Sequence, residues 1–273
     1  MAKSLDSQIR QTLRLARQLE NSGAREVKAI LDQLRREIVI RIVEGGEISP
    51  SLAAQIKEEV DRLMQQFSSR LSQQMSENER RLFVKGVQSV DAAIKGAGLV
   101  VALPFVSEQI LTTLAAYNAD LITGILEPAR MAIRREIALG VMGQKPVVDI
   151  IKAIGRNLNS PSIFGTLYKR SLAIYKTEMH RVQNEGANER MKQAQQRVPD
   201  LRKMWLHSHQ GVPRPHHLML DGVTIKPDEK FKLVGADGKI YEIEKPHDAI
   251  LPASETVSCR CIVVSRLEPG AKK

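Results

Sequence analysis

The chain has 273 residues, 42% hydrophobic and only 4% aromatic, with 41 Lys and Arg against 31 Asp and Glu, a formal charge of +10. The length admits a sizeable core and, as a prior, two domains; few aromatics with abundant Leu, Ile, Ala, Gln, Lys and Arg argue against a β-sandwich and for long helices. The basic balance has two readings, contact with nucleic acid or another acidic surface, or a solvated face that is merely basic, and no run of five like charges appears.

The N-terminal MAKSLDSQIRQ has no apolar core of a signal peptide. The most apolar stretch, AGLVVALPFV (Ala97 to Val106), is too short to span a bilayer and is broken by Pro104. Synthesis in a reducing cytoplasm is expected, which disfavours a structural disulfide. Residues 5 to 195 read as almost entirely helical. Val27, Ile30, Leu31, Leu34 and Ile38 recur every three or four residues and form one apolar stripe. Gly45-Gly46 closes that helix, and Ser49 before Pro50 caps the next. The second helix runs through Leu52, Ile56, Val60, Leu63, Met64 and Phe67 and is expected to reach about residue 95.

Gly96, Gly98 and Pro104 mark a break. An apolar helical region, Ile110 to Leu139, follows, with Pro128 as a kink or boundary. Gly143 and Pro146 separate it from a short amphipathic helix, Val147 to Leu158. Ser160-Pro161 repeats the cap pattern and opens a helix to about Gln196. Its seam of Tyr168, Leu172, Tyr175, Met179 and Val182 reads as core. Beyond Pro199 the runs turn short and β-like (VTI, KFKLV, KIYEI, CIVVS), and KLVGADGKIYEI reads as a hairpin with Asp237-Gly238 in its turn. The expected fold is mainly α: an elongated multi-helix body with a small C-terminal α+β module. Its parts are a long-helix region 1–95, a helical body 96–198, the module 199–267 and a frayed tail 268–273.

Both cysteines and five of the six histidines (His207, His209, His216, His217, His247) lie in the module. His217, Cys259 and Cys261 offer three zinc ligands, with a nearby histidine such as His209 as the fourth. A module of this size with a thin core would gain much from such a staple. The other reading makes the cysteines small apolar groups on one face of a strand. Paired histidines with Arg214 and Asp221 also open a metal-free nuclease reading by general acid–base chemistry. No Walker loop, dinucleotide fingerprint or zincin motif is present. On the long helix before the module, Thr177, Arg181, Asn184 and Asn188 stand at 4, 3 and 4, and Glu178 can pair with Arg181. This stripe is either a solvated face or a polar latch holding the module.

Two separated stretches resemble the phage Mu F-like minor head, or phage head morphogenesis, protein family. YKTEMHRVQNEGANERM supplies Thr177, Glu178, Arg181 and Asn184 of a helix seen across that family. KMWLHSHQGVPRPHHLMLDG followed by SCRC supplies Trp205, Arg214, His217, Leu220, Asp221, Gly222, Cys259, Arg260 and Cys261. Gln210-Gly211-Val212-Pro213 stands where the family has an acidic start to its turn, and Ser258 where it has Asn. The resemblance covers about residues 140 to 265. It implies a structural minor capsid protein of a tailed bacteriophage or prophage, without enzymatic activity. Such a protein is a virion component associated with the portal or major capsid protein at the head interior. It tolerates packaged DNA and acts in head morphogenesis, DNA packaging or ejection. Some relatives carry toxin domains after this module, and the chain ends a few residues past SCRCIVVSRL, so none is expected here. The rivals are a nuclease using the histidine cluster and a stand-alone, non-specific nucleic-acid-binding protein.

Overall fold

The computed structural model describes residues 2–44, 49–107, 109–207 and 214–268. Gly45-Gly46, the loop holding His209 and Gln210 to Pro213, and the tail beyond Glu268 lie outside the described residues. The elements are helices α1 (Ala2–Glu44), α2 (Pro50–Gly96), α3 (Gln109–Val141), α4 (Val147–Ile154) and α5 (Ile163–Gln195), then β1 (Leu201–Leu206), α6 (Pro215–Leu218), β2 (Thr224–Ile225), β3 (Phe231–Val234), β4 (Ile240–Ile243), α7 (Ala253–Thr256) and β5 (Ile262–Leu267). The fold is therefore mainly α with a small C-terminal region of antiparallel strands.

Local chemistry explains most boundaries. Ser49 caps α2: its Oγ accepts the Leu52 N–H at 3.3 Å and its carbonyl the Ala53 N–H at 2.9 Å. Three sequence expectations need correction. Pro128 does not bound a helix, because α3 runs through it. Ile122, Leu126, Ala129, Ile133 and Ile137 are buried on both sides of it, and that packing outweighs one missing hydrogen bond. The short helix stops at Ile154, since Gly155 takes φ 125 at its C-cap. The cap of α5 is Ser162, whose Oγ accepts the Gly165 N–H at 3.1 Å. Ser160 is already closed into a separate turn, its N–H donating to Asn157 Oδ1 at 3.0 Å.

The strand β1 was not expected. It is the centre of a three-stranded antiparallel sheet in the order β2-β1-β5, while β3 and β4 form the expected hairpin with Phe231 opposite Ile243. In LRKMWL a lysine interrupts the apolar pattern, yet Lys203 is fully buried. Its ammonium has no hydrogen-bond partner among the described residues and lies 5.6 Å from the Phe231 ring centroid. Burial pulls its pKa down to about 8.

The chain divides into two compact units that do not follow the boundaries at 95 and 198. One comprises Asn21–Ser76 and Thr113–Tyr175. Its core is the expected stripe of α1 (Val27, Leu31, Leu34, Ile38) together with Ile56, Val60, Leu63 and Phe67 of α2 and the buried face of α3. Asp61 of α2 is paired with Arg130 and Arg134 of α3.

The other unit comprises Met1–Glu20, Glu77–Thr112 and Lys176–Lys273. The β-region is integral to it, packed on the end of α2 and on α5, because its own strands are too short to close a core. Val90 and Ile94 of α2, Ala187, Met191 and Ala194 of α5, and Trp205, Phe231, Leu233, Cys259, Cys261 and Val263 form one cluster. The opposite face of the sheet buries Met204, Ile262 and Val264 against Leu13. Arg190 grips Asp91 with two hydrogen bonds of 2.5 and 3.0 Å and donates to the Pro104 carbonyl at 2.6 Å, fixing the segment after α2.

This unit also buries two acids of adjacent helices. The Glu79 carboxyl is raised from 4.5 to about 7, first by burial and then by the Glu178 carboxylate. Glu178 is itself raised by burial, against the pull of Arg181. A folded pKa above the unfolded one stabilises fully below about pH 4.5 and is lost as pH rises through about 7. Glu79→Gln keeps the neutral shape at every pH. The variant is expected to exceed the wild type by roughly 2–3 kcal/mol at pH 8 and to match it near pH 4.5. Denaturant melts at the two pH values check this; the same gap between variant and wild type at both would mean that folding leaves the Glu79 pKa unshifted.

Candidate functional site

The polar stripe of α5 faces the β-region. Thr177 Oγ1 accepts the Ser258 N–H at 3.0 Å. Arg181 bonds Glu178 at 2.8 Å and donates to the His247 carbonyl at 2.9 Å. Asn184, fully buried, donates to the Cys261 carbonyl at 3.1 Å, lies 3.2 Å from His247 Nδ1, and accepts the Val263 N–H at 2.8 Å. Asn188 donates to Glu244 at 3.2 Å. Helical spacing thus aims Thr177, Arg181 and Asn184 at backbone groups of β5 and of the segments on either side of α7, and Asn188 at the Glu244 side chain.

The SCRC stretch enters β5 through Ser258 at φ 59, in the left-handed region. Ser occupies that conformation less readily than Asn or Gly would. Alternation then turns Cys259 and Cys261 to one side and Arg260 to the other. His217, at the end of the short α6, is buried against both thiols: its Nδ1 lies 3.5 Å from Cys259 Sγ and 3.6 Å from Cys261 Sγ. The thiols share a hydrogen bond that pulls Cys259 toward thiolate and pushes Cys261 up. Trp205 packs edge-on against His217, with ring centroids 5.7 Å apart.

Glu255 of α7, absent from the sequence expectations, is the acceptor at the centre of this group. Its Oε2 takes His217 Nε2 at 2.9 Å and His216 Nε2 at 2.5 Å, and its Oε1 takes the Ala236 N–H at 2.8 Å. Burial works to raise this carboxyl, and those three donors more than offset it, so its pKa is lowered. Its only hint in the sequence is an acid four residues before Cys259.

The remaining motif residues shape the surroundings. Arg214 donates to the carbonyls of Ser254 and Val257, at 2.9 and 2.8 Å, and so ties α6 to α7. Asp221 accepts the His207 N–H at 2.8 Å, and Gly222, at φ 81, donates to the Trp205 carbonyl at 2.9 Å. Arg260 reaches Glu20 of α1 at 2.7 Å, where Lys176 and His180 also converge. Burial would raise the Glu20 carboxyl, but the bonds from His180 and Arg260 prevail and hold it at about 2. Nothing in the sequence marks Glu20.

Sulfur, imidazole and carboxylate thus stand in the order of a thiol nucleophile, its base and an orienting acid. Cys259, His217 and Cys261 are each at most 4% exposed, so a substrate would reach them only after the unit opened. The arrangement suits binding and bracing better than turnover. His247 Nε2 is likewise engaged, 3.0 Å from the Cys259 carbonyl. His209, the other proposed ligand, lies outside the described residues.

Residues 131–264, just under half of the chain, match the family described as Phage Mu protein F like protein. A curated protein, the NAD(+)–arginine ADP-ribosyltransferase EFV of Enterococcus faecalis (strain ATCC 700802 / V583), is 26% identical over 147 residues, which is 52% of this chain. The chain spans 27% of the length of that relative. No solved structure matches. Among the described residues no helix is long and apolar enough to cross a membrane.

Proposed function

We propose, from the match of residues 131–264 to the Phage Mu protein F like family, that the chain is a structural minor head protein that docks on the portal or the capsid lining. The family match carries this reading. It is supported by a surface made for a partner: in the segment after α2, Val100 and Phe105 are fully exposed and Leu99 is 41% exposed. Arg190 and Arg197 pin that segment through the carbonyls of Pro104 and Ala102, so its apolar side chains are held outward. The formal charge of +10 lets the protein lie beside packaged DNA through salt-dependent phosphate contacts.

Catalysis is not part of this proposal. Of the histidines a nuclease would use, His207, His217 and His247 are buried, and His216, 19% exposed, is bonded to Glu255. Transferase activity belongs to the name of the Enterococcus relative, most of whose length has no counterpart here. The decisive experiment sediments the chain with portal and major capsid proteins of the same phage, and searches purified particles for it. Co-sedimentation at least tenfold weaker for Val100→Ser/Phe105→Ser is the expected result. Particles that contain none of the chain would overturn the proposal.

A further inference from the structure

We propose that His217 Nδ1, Cys259 Sγ and Cys261 Sγ bind one zinc ion, which clips α6 to the start of β5. Three lines of geometry carry this, and none depends on the head-protein reading.

The first is spacing. The three donor atoms lie within 4.8 Å of one another, all on buried side chains. Sulfur at about 2.3 Å and nitrogen at about 2.05 Å from a tetrahedral ion stand about 3.6 Å apart. The Nδ1 to sulfur distances are 3.5 and 3.6 Å. A thiol hydrogen bond has a similar length, but the one lone pair of Nδ1 can accept only one of the two thiols, whereas a metal ion brings both sulfurs to the same nitrogen.

The second is the state of the imidazole. Glu255 takes His217 Nε2 at 2.9 Å, so that nitrogen carries the proton and Nδ1 presents its lone pair to the two sulfurs. A carboxylate behind a histidine is the usual outer support of a metal-bound imidazole. The same bond argues against the other three-ligand group, His216, His217 and Glu255, because it occupies the atoms that group would offer.

The third is the setting of the sulfurs. The Cys261 N–H points at Cys259 Sγ from 3.4 Å, an arrangement that favours thiolate. Trp205 is buried in the same cluster as both cysteines, where its indole N–H is a donor suited to a metal-bound thiolate. Two thiolates and an imidazole select zinc over calcium or magnesium, which take oxygen ligands.

The test uses the full chain without a histidine tag, produced with zinc and then dialysed. About one zinc per chain is expected for wild type and for His216→Ala, and at least tenfold less for Cys261→Ser. Since Cys261→Ser could fail to fold, wild type stripped by a chelator is also titrated with cobalt(II). A thiolate-to-cobalt charge-transfer band, displaced by zinc, is the expected result. Zinc-free wild type without that band would overturn the proposal, as would zinc retained in soluble, folded Cys261→Ser. Either failure leaves the particle experiment untouched, so the two proposals fall separately.

Discussion

Asn184→Ala is expected to destabilise the chain by roughly 3–5 kcal/mol, the largest effect of any single polar truncation in the α5 stripe. The carboxamide donates to the Cys261 carbonyl and accepts the Val263 N–H, at 3.1 and 2.8 Å, in a place with no exposure. Truncation leaves a buried donor and a buried acceptor unpaired, each costing about 1–3 kcal/mol, and opens a small void. Asn184→Asp keeps the acceptor but turns a carboxylate toward the Cys261 carbonyl, so it is not a rescue. Asn188→Ala, which loses one bond to the partly exposed Glu244, is the control and is expected to cost below about 1 kcal/mol. Urea midpoints of the three variants decide the matter; equal midpoints for Asn184→Ala and wild type would show that α5 does not latch β5.

Gly186→Ala is expected to destabilise by roughly 2–3 kcal/mol, against the sign that helix propensity gives. On an open helix the same change stabilises by about 1 kcal/mol. Here α2 and α5 touch backbone to backbone. A methyl on Gly186 would lie 2.3 Å from the Phe83 carbonyl oxygen, and one on Gly86 would lie 2.3 Å from that of Gln183. Neither neighbour is a side chain that can swing away, so the helices must separate and loosen the packing around Met179, Val182 and Phe83. Gly124→Ala meets nothing within 4 Å and is expected to stabilise by up to about 1 kcal/mol. Thermal melts of the pair read the sign directly. Two stabilised proteins would mean that the crossing is looser than described.

The helices were legible because their apolar residues recur with the helical period and Ser49-Pro50 punctuates them. The hairpin was legible because Asp237-Gly238 can turn only a few ways. The stripe Thr177, Arg181, Asn184, Asn188 was legible as a spacing, though its partners were not, since they lie some 56 to 81 residues away and most of them are backbone groups. Strand β1 escaped because Lys203 occupies a buried position and breaks the alternation that announces a strand. Glu20 and Glu255 escaped for a different reason: an isolated acid on a helix looks solvated until the fold brings its partners. The cysteine pair and His217 could be singled out by type, whereas their convergence on one nitrogen belongs to tertiary structure alone.

The ion pair between Glu20 and Arg260 joins residues 240 positions apart. On a ribosome adding about 5–20 residues per second, the first of them waits roughly 10–50 s for the second. During that interval α1 can form its own turns, but the unit that holds its first twenty residues lacks its last strand and closes only when synthesis is nearly finished. The other unit ends at Tyr175. Birth order therefore runs opposite to chain order for the first twenty residues, and a nascent chain halted before residue 260 would carry one finished unit beside an N-terminus still open to a chaperone.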